Sequence, residues 1–212
     1  MALYCFIILH YMAYKTTCDC ANKILSNFNN SKIEIVIVDN ASPNGSGKKL
    51  KSYYQKKSNV HVILNQTNSG FAGGNNIGYK YIKQSFNAEY IIDLNNDVFI
   101  NDPLFIKKIL RIHSKTNFDV LGPDIYCQTS LQHQSPLRLK GISKKELKFY
   151  HKSLEKVNRF FEFYYYKNRL LDKLHLSKSS NTSDIQHVPY NQTLLNPVLY
   201  GACYIFSRNF IN

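Results

Sequence analysis

The sequence predicts an α/β fold, a mostly parallel twisted sheet with helices on both faces. Two observations lead there. Over the first 127 of 212 residues, apolar runs of strand length alternate with segments whose apolar residues recur at helical spacing. Each apolar run also stops abruptly in polar residues, as buried parallel strands do where their carboxyl ends form a ligand site. Such alternation implies right-handed crossovers between neighbouring parallel strands.

Each element has its own signal. Residues 3–9 form a continuous apolar run of strand length. Residues 16–28 space Cys20, Ile24, Leu25 and Phe28 as a helix does. Residues 33–38, Ile-Glu-Ile-Val-Ile-Val, are β-branched and end in Asp39-Asn40. The turn-rich stretch 42–47 comes next, then a short helix over 48–57 and a strand over 60–64. Residues 65–70 read as a loop and 71–86 as a helix, despite Gly73, Gly74 and Gly78. Residues 90–94 form a fourth strand, and Asp102-Pro103 signals a helix with proline in its first turn. Beyond residue 127 the pattern changes. An irregular loop is expected over 128–141 and a capping box at Ser143 and Glu146. From there a long basic, aromatic helix is expected to about residue 174, then a mobile polar loop over 177–196 and a last strand over 199–206.

Composition narrows the function classes. Hydrophobic residues make up 44%, and no apolar run reaches 18 residues, against bulk disorder or a membrane-spanning helix. The apolar amino terminus has no basic lead-in and no small-residue cleavage site, so it reads as a strand and not a signal peptide. Five cysteines without a CxxC pair fit free thiols in a reducing compartment. The net charge is +13 and uneven: residues 1–127 hold 14 Lys/Arg against 9 Asp/Glu, and residues 128–212 hold 13 against 5. Such a surplus attracts polyanions. The same charge, with 16 Tyr and 13 Phe, raises nucleic-acid binding as a distant alternative. None of the common nucleic-acid motifs is present, so nucleic acid is not expected as a partner.

The glycine-rich stretches match no standard phosphate motif. Gly45-Ser46-Gly47-Lys48 has Ser42 where a phosphate loop needs its first glycine and Lys49 where it needs Ser or Thr. Gly70-Phe71-Ala72-Gly73-Gly74 departs from the dinucleotide spacing. The polar strand ends are more informative. Asp39, closing a buried strand, can accept hydrogen bonds from a ligand at the sheet edge or cap the following turn. Asn95-Asn96-Asp97 offers hard oxygen donors of the kind Mg²⁺ and Mn²⁺ prefer, or is simply a turn after a strand.

Taken in order, three segments resemble family 2 glycosyltransferases, with the likeness pointing to the bacterial rhamnosyltransferase-like branch that builds surface polysaccharides. They are Ile35-Val36-Ile37-Val38-Asp39-Asn40-Ala41-Ser42, Asn68-Ser69-Gly70-Phe71-Ala72-Gly73-Gly74-Asn75-Asn76-Ile77-Gly78, and Leu94-Asn95-Asn96-Asp97-Val98. Order and spacing agree over about residues 3–127, and Gly201-Ala202-Cys203 resembles a later block. The resemblance implies a GT-A fold and inverting transfer from a nucleotide-diphosphate sugar, UDP- or dTDP-linked, with Mg²⁺ or Mn²⁺. The acceptor would be a saccharide or a lipid-linked saccharide. It also implies roles. Asp39 matches the aspartate that contacts the base, and His10 and Tyr11 lie where the first loop packs on that base. Asn68, Gly70, Asn75 and Asn95 match the lining of the nucleotide-sugar pocket. Asp97 matches the last acid of the metal motif, with Asn95 in place of the first acid and Asp93 a secondary candidate.

On this resemblance residues 1–127 form the nucleotide-sugar-binding half and 128–212 an acceptor-side region. The family's general base lies in a Glu-Asp pair after the Gly-Ala-Cys block, and this chain contains no such pair. It is therefore expected to be an amino-terminal portion of a glycosyltransferase, or a non-catalytic remnant of one. The basic aromatic helix over 144–174 carries two readings, contact with an anionic bilayer or packing of its aromatic face on the domain. The expected location is cytoplasmic, with a peripheral position at the inner face of the cell membrane where a lipid-linked acceptor would lie.

Overall fold

The computed structural model describes residues 2–29, 31–137, 143–146, 148, 149, 152, 194, 197, 199 and 201–211. Contacts divide the chain into two units, Met1–Pro123 with Gly201–Asn212, and Asp124–Tyr200.

In the first unit β1 (Leu3–His10), α1 (Tyr14–Asn27), β2 (Lys32–Asp39), α2 (Ser46–Tyr54) and β3 (Val60–Leu64) lead to α3 (Gly70–Ser85) and β4 (Tyr90–Asn95). Next come α4 (Phe105–Thr116) and β5 (Val120–Leu121). The strands β6 (Tyr126–Cys127) and β7 (Gln132–His133) belong to the second unit, and the chain returns to the first with β8 (Cys203–Ser207) and α5 (Arg208–Ile211). Sheet order is β3-β2-β1-β4-β8-β5. The pairs β1–β2, β1–β4 and β2–β3 are parallel, and β8 runs antiparallel to both β4 and β5. The mostly parallel α/β sheet expected from the sequence is therefore present.

Strand order reverses at β1. The first two crossovers step outward to β2 and β3, and the third returns past β1 to β4. The ends of β1 and β4 thus form the switch point where open α/β sheets bind ligands. Continuous Val/Ile runs such as Ile35-Val36-Ile37-Val38 are buried on both sides, which is why they do not alternate with polar residues. On one face Tyr4 stacks on Tyr90 at 5.3 Å and Phe6 on Phe28 of the α1 carboxyl end at 6.0 Å. On the other, Cys5, Ile7, Val36, Val38 and Ile91 pack with Ile82 of α3. A Cβ on Gly74 would fall 2.4 Å from Leu9 Cδ1, and one on Gly78 2.8 Å from Ile7 Cγ2. The glycines that weaken α3 as a helix therefore let its backbone lie directly on β1.

Three local expectations shift. Pro103 sits in a turn ahead of α4, because Asp102 accepts the Leu104 amide at 2.8 Å and the helix starts only at Phe105. The expected irregular loop over 128–141 contains a strand: β6 and β7 pair as a hairpin. Residues 201–212, expected to belong with 128–200, fold with the first unit because β8 completes the sheet beside β4. In the second unit the capping box is formed, the Glu146 amide donating to Ser143 Oγ at 3.2 Å and the Ser143 amide to Glu146 Oε2 at 2.9 Å. The rest of the long basic helix and most of the 177–196 loop lie outside the described residues. All five cysteines are free thiols, four of them buried.

Candidate functional site

The site is built from the segments that come after β1, β2, β3 and β4. His10 and Asp39 are opposite each other in register at the ends of β1 and β2, and both point to the face that α1 and α2 cover. His10 has no exposed surface. Its Nδ1 lies 2.7 Å from Thr17 Oγ1 and its Nε2 2.8 Å from Ser46 Oγ, with Asp39 Oδ1 at 3.9 Å. Burial lowers its pKa from the ordinary value, and nearby Asp39 opposes that only in part. The ring is therefore neutral at pH 7. A base cannot pack on a fully enclosed imidazole, so the expected contact role falls to its neighbour. Tyr11 is 46% exposed on the loop beyond β1.

Asp39 is buried and accepts the Ser42 amide at 3.2 Å, so it does cap the following turn. Its other carboxylate oxygen rests on the backbone of α2. A Cβ on Gly47 would fall 1.9 Å from Asp39 Oδ2 and 2.2 Å from Asp39 Cγ. Gly47, which fails as part of a phosphate loop, is the residue that admits this carboxylate. Met12 (φ 61°) and Ala41 (φ 62°) take left-handed backbone just beyond β1 and β2, a conformation non-glycine residues seldom adopt and one that clusters at functional sites. The two loops are joined: the Met12 amide donates to Ser42 Oγ at 2.8 Å, and Asn44 Nδ2 donates to the Met12 carbonyl at 3.0 Å.

Asn40 organises the loop before α3. Its Nδ2 donates to Asn68 Oδ1 (2.8 Å) and to the Gly70 carbonyl (3.1 Å). Its Oδ1 accepts from Asn65 Nδ2 (3.2 Å) and the Ser69 amide (3.0 Å). Asn68 Oδ1 also accepts the Gly70 amide at 2.9 Å, and Gly70 takes a left-handed φ of 71°. Asn68 and Gly70 are thus brought together, exposed, by a buried residue whose role no local sequence pattern announces. Asn75, one turn into α3, is buried, and its Oδ1 has no hydrogen-bond partner among the described residues. An enclosed acceptor without a donor suits a ligand hydroxyl or amide.

The end of β4 is held from behind. Asn96 Nδ2 donates to Thr17 Oγ1 at 3.0 Å, Cys20 Sγ to the Val98 carbonyl at 3.3 Å, and the Val98 amide closes the turn onto the Asn95 carbonyl at 3.1 Å. Asp97 is left exposed, with neither ion pair nor side-chain hydrogen bond among the described residues. No group of three or more His, Cys, Asp and Glu side chains that could hold a metal occurs among the described residues. One carboxylate and the Asn95 amide two positions earlier in the chain do not cage a cation. They do fit Mg²⁺ or Mn²⁺ completed by substrate phosphates, the usual way such ions are held beside a diphosphate. Asp93 lies farther back on β4, and burial pushes its carboxyl up to about 6. It is not beside Asp97 at the sheet edge.

Residues 5–176 match the sequence model described as Glycosyl transferase family 2. The low-salt glycan biosynthesis hexosyltransferase Agl10 of Haloferax volcanii is 34% identical over 92 residues, 43% of this chain and 28% of that protein. The uncharacterized glycosyltransferase EpsJ of Bacillus subtilis is 26% identical over 100 residues, 47% of this chain and 27% of that one. The chain spans about half or less of the length of the curated relatives it matches. Among solved structures, the mannosyltransferase PcManGT from Pyrobaculum calidifontis, in complex with GDP-Man and Mn²⁺, superposes with a TM-score of 0.50 at 12% identity. That match covers 60% of this chain and 36% of PcManGT, and it speaks for the fold alone.

Proposed function

Because the chain belongs to glycosyl transferase family 2, we propose that the carboxyl edge of β1, β2 and β4 binds a nucleotide-diphosphate sugar with Mg²⁺ or Mn²⁺. The observation that carries this is the pairing of a buried carboxylate, Asp39, with an exposed one, Asp97, at strand ends on either side of the β1 switch point. A buried carboxylate accepting directed hydrogen bonds suits a base N–H. A solvent-facing one suits a cation that arrives with the diphosphate.

In this reading Tyr11 stacks on the base and Asp39 accepts from its N–H. Asn68, Gly70 and Asn75 line the sugar-diphosphate cleft, Asn75 Oδ1 taking the hydroxyl it lacks in the chain itself. Asn95 and Asp97 hold the cation. When bound, that ion neutralises charge developing on the departing diphosphate. His10 does not touch the donor but keeps the end of β1 in place. The whole protein would transfer a hexosyl or rhamnosyl unit, with inversion, to a saccharide or lipid-linked saccharide of a cell-surface polysaccharide, and residues 128–200 would lie on the acceptor side. The described kin support the class: a hexosyltransferase of glycan biosynthesis by sequence, and by fold an enzyme seen with GDP-Man and Mn²⁺. A cytoplasmic site of action, peripheral to the membrane, belongs to the same reading. No helix among the described residues is long and apolar enough to cross a membrane.

Calorimetric titration with UDP, dTDP and GDP, with and without Mn²⁺, tests this. Mn²⁺-dependent binding that Asp97→Ala abolishes supports the donor site. A folded chain that binds none of the three overturns it and leaves a family 2 fold without its function.

A further inference from the structure

A string of hydrogen bonds runs behind the site from the Asp39 side to the Asp97 side. Ser46 Oγ meets His10 Nε2 at 2.8 Å, His10 Nδ1 meets Thr17 Oγ1 at 2.7 Å, and Thr17 Oγ1 meets Asn96 Nδ2 at 3.0 Å. The four residues come from α2, β1, α1 and the turn after β4, so the string joins segments 36, 7 and 79 positions apart. Its middle members, His10 and Thr17, have no exposed surface, so water does not compete for these bonds.

Proton directions are set by the donors around it. Thr17 Oγ1 donates to the Ala13 carbonyl at 3.0 Å, so it accepts from both Asn96 Nδ2 and His10 Nδ1–H. That leaves His10 Nε2 as an acceptor for the Ser46 hydroxyl. A neutral ring with its proton on Nδ1 makes no hydrogen bond to the Asp39 carboxylate, 3.9 Å away. An aliphatic side chain would fill the same volume without the desolvation cost of an imidazole. What the imidazole adds is two directed links.

We propose that His10 and Thr17 are positioning residues that couple the turn bearing Asp97 to the loop bearing Asp39, so that a cation at one end raises affinity for the nucleotide at the other beyond what their direct contact through the diphosphate supplies. The proposal rests on the donor-site reading and deepens it. Linkage makes the effect reciprocal: whatever factor Mn²⁺ adds to nucleotide affinity, the nucleotide adds to Mn²⁺ affinity.

The test is the ratio of UDP dissociation constants without and with Mn²⁺, measured by calorimetry on the full chain. Thr17→Val keeps the shape and removes the hydroxyl. The ratio is expected to fall about tenfold, with Mn²⁺-free affinity unchanged within about twofold. Thr17→Ser, which keeps the hydroxyl, is expected to restore it. A merely structural Thr17 would lower the melting temperature and leave the ratio intact, and that result overturns the proposal. Should Thr17→Val not fold, Asn96→Ala cuts the outer link alone; the same fall supports the coupling and an unchanged ratio overturns it. Should the wild-type chain bind no UDP, the donor-site reading fails separately, and amide exchange decides the coupling. Asn96→Ala then accelerates exchange at Ser46 as well as Val98 if the string acts as a unit. Acceleration at Val98 alone overturns it.

Discussion

At the ends of β1 and β2 the buried polar side chains are engaged with one another. His10 is bonded through both ring nitrogens, Asn40 makes four hydrogen bonds, and Asp39 lies between a turn amide and the backbone of Gly47. At the end of β4 the turn is tied through Asn95, Asn96 and Val98, while Asp97 faces solvent without a partner among the described residues. One side of the candidate site is assembled by folding, and in the proposed reading the other is completed by the ligand. Prepaid geometry suits the recognition of a rigid, planar base. An open carboxylate suits an ion whose remaining ligands come with the substrate.

Four measurements would break or sharpen that contrast, beginning with the largest effect. Gly47→Ala places a methyl inside the Asp39 carboxylate, which is short, buried and unable to move aside. Thermal or denaturant unfolding is expected to show a loss of about 3 kcal/mol, together with loss of nucleotide binding. A well-folded Gly47→Ala chain would mean that Asp39 is less confined than its contacts indicate. Asn40→Ala removes four hydrogen bonds and strands donors in the loop at 65–70, so about 2 kcal/mol is expected to be lost. Faster amide exchange should appear at Ser69 and Gly70, with little change near Asp97.

The third measurement is a pH series. Asp93 has its pKa raised from 3.8 to about 6 by burial, so its stabilising share is present at acid pH and lost as pH rises toward 6. Asp93→Asn should match the wild type near pH 4 and exceed its stability at pH 7 by about 1–2 kcal/mol. His10 works the other way. Its lowered pKa means that stability is present above 6.5 and lost as pH falls through that value, because the unfolded chain then takes up a proton that the folded ring does not. A His10→Gln variant should flatten that acid limb in denaturant titrations between pH 7 and 5. Least disruptive is Asp97→Ala, expected to change stability by no more than about 0.5 kcal/mol. If it costs several kcal/mol instead, the turn after β4 is part of the folded framework and the contrast fails.

Much of the fold is legible along the chain. The strand over 60–64 has the bounds expected, and the run ending at Asp39 marks β2 to its last residue. The polar residues after β1, β2 and β4 lie along one edge, as the alternation implies. The departures have local causes. Asp102 caps a turn ahead of α4, so Pro103 stays outside the helix, and a two-residue strand such as β7 is too short to show periodicity. The placement of the candidate residues is legible in outline: Asp39 closes β2, Asp97 lies in the turn after β4, and Asn68 and Gly70 are brought together. The family resemblance makes His10 a contact of the base, and nothing local reports that its side chain turns inward.

The order and type of the elements from β1 to α4 were determined by the sequence alone, because apolar periodicity and turn chemistry act over a few neighbouring residues. The polar character of the sheet edge was determined in the same way. Only the tertiary structure decided that Asn40 governs the loop at Asn68 and that Gly47 is a seat for Asp39. It also decided that Thr17 joins His10 to Asn96. Those meetings span 28 residues in the first case and 79 in the last. Over such separations, which side chains touch is set by how α1, α2 and α3 pack on the sheet, and no local pattern carries that information.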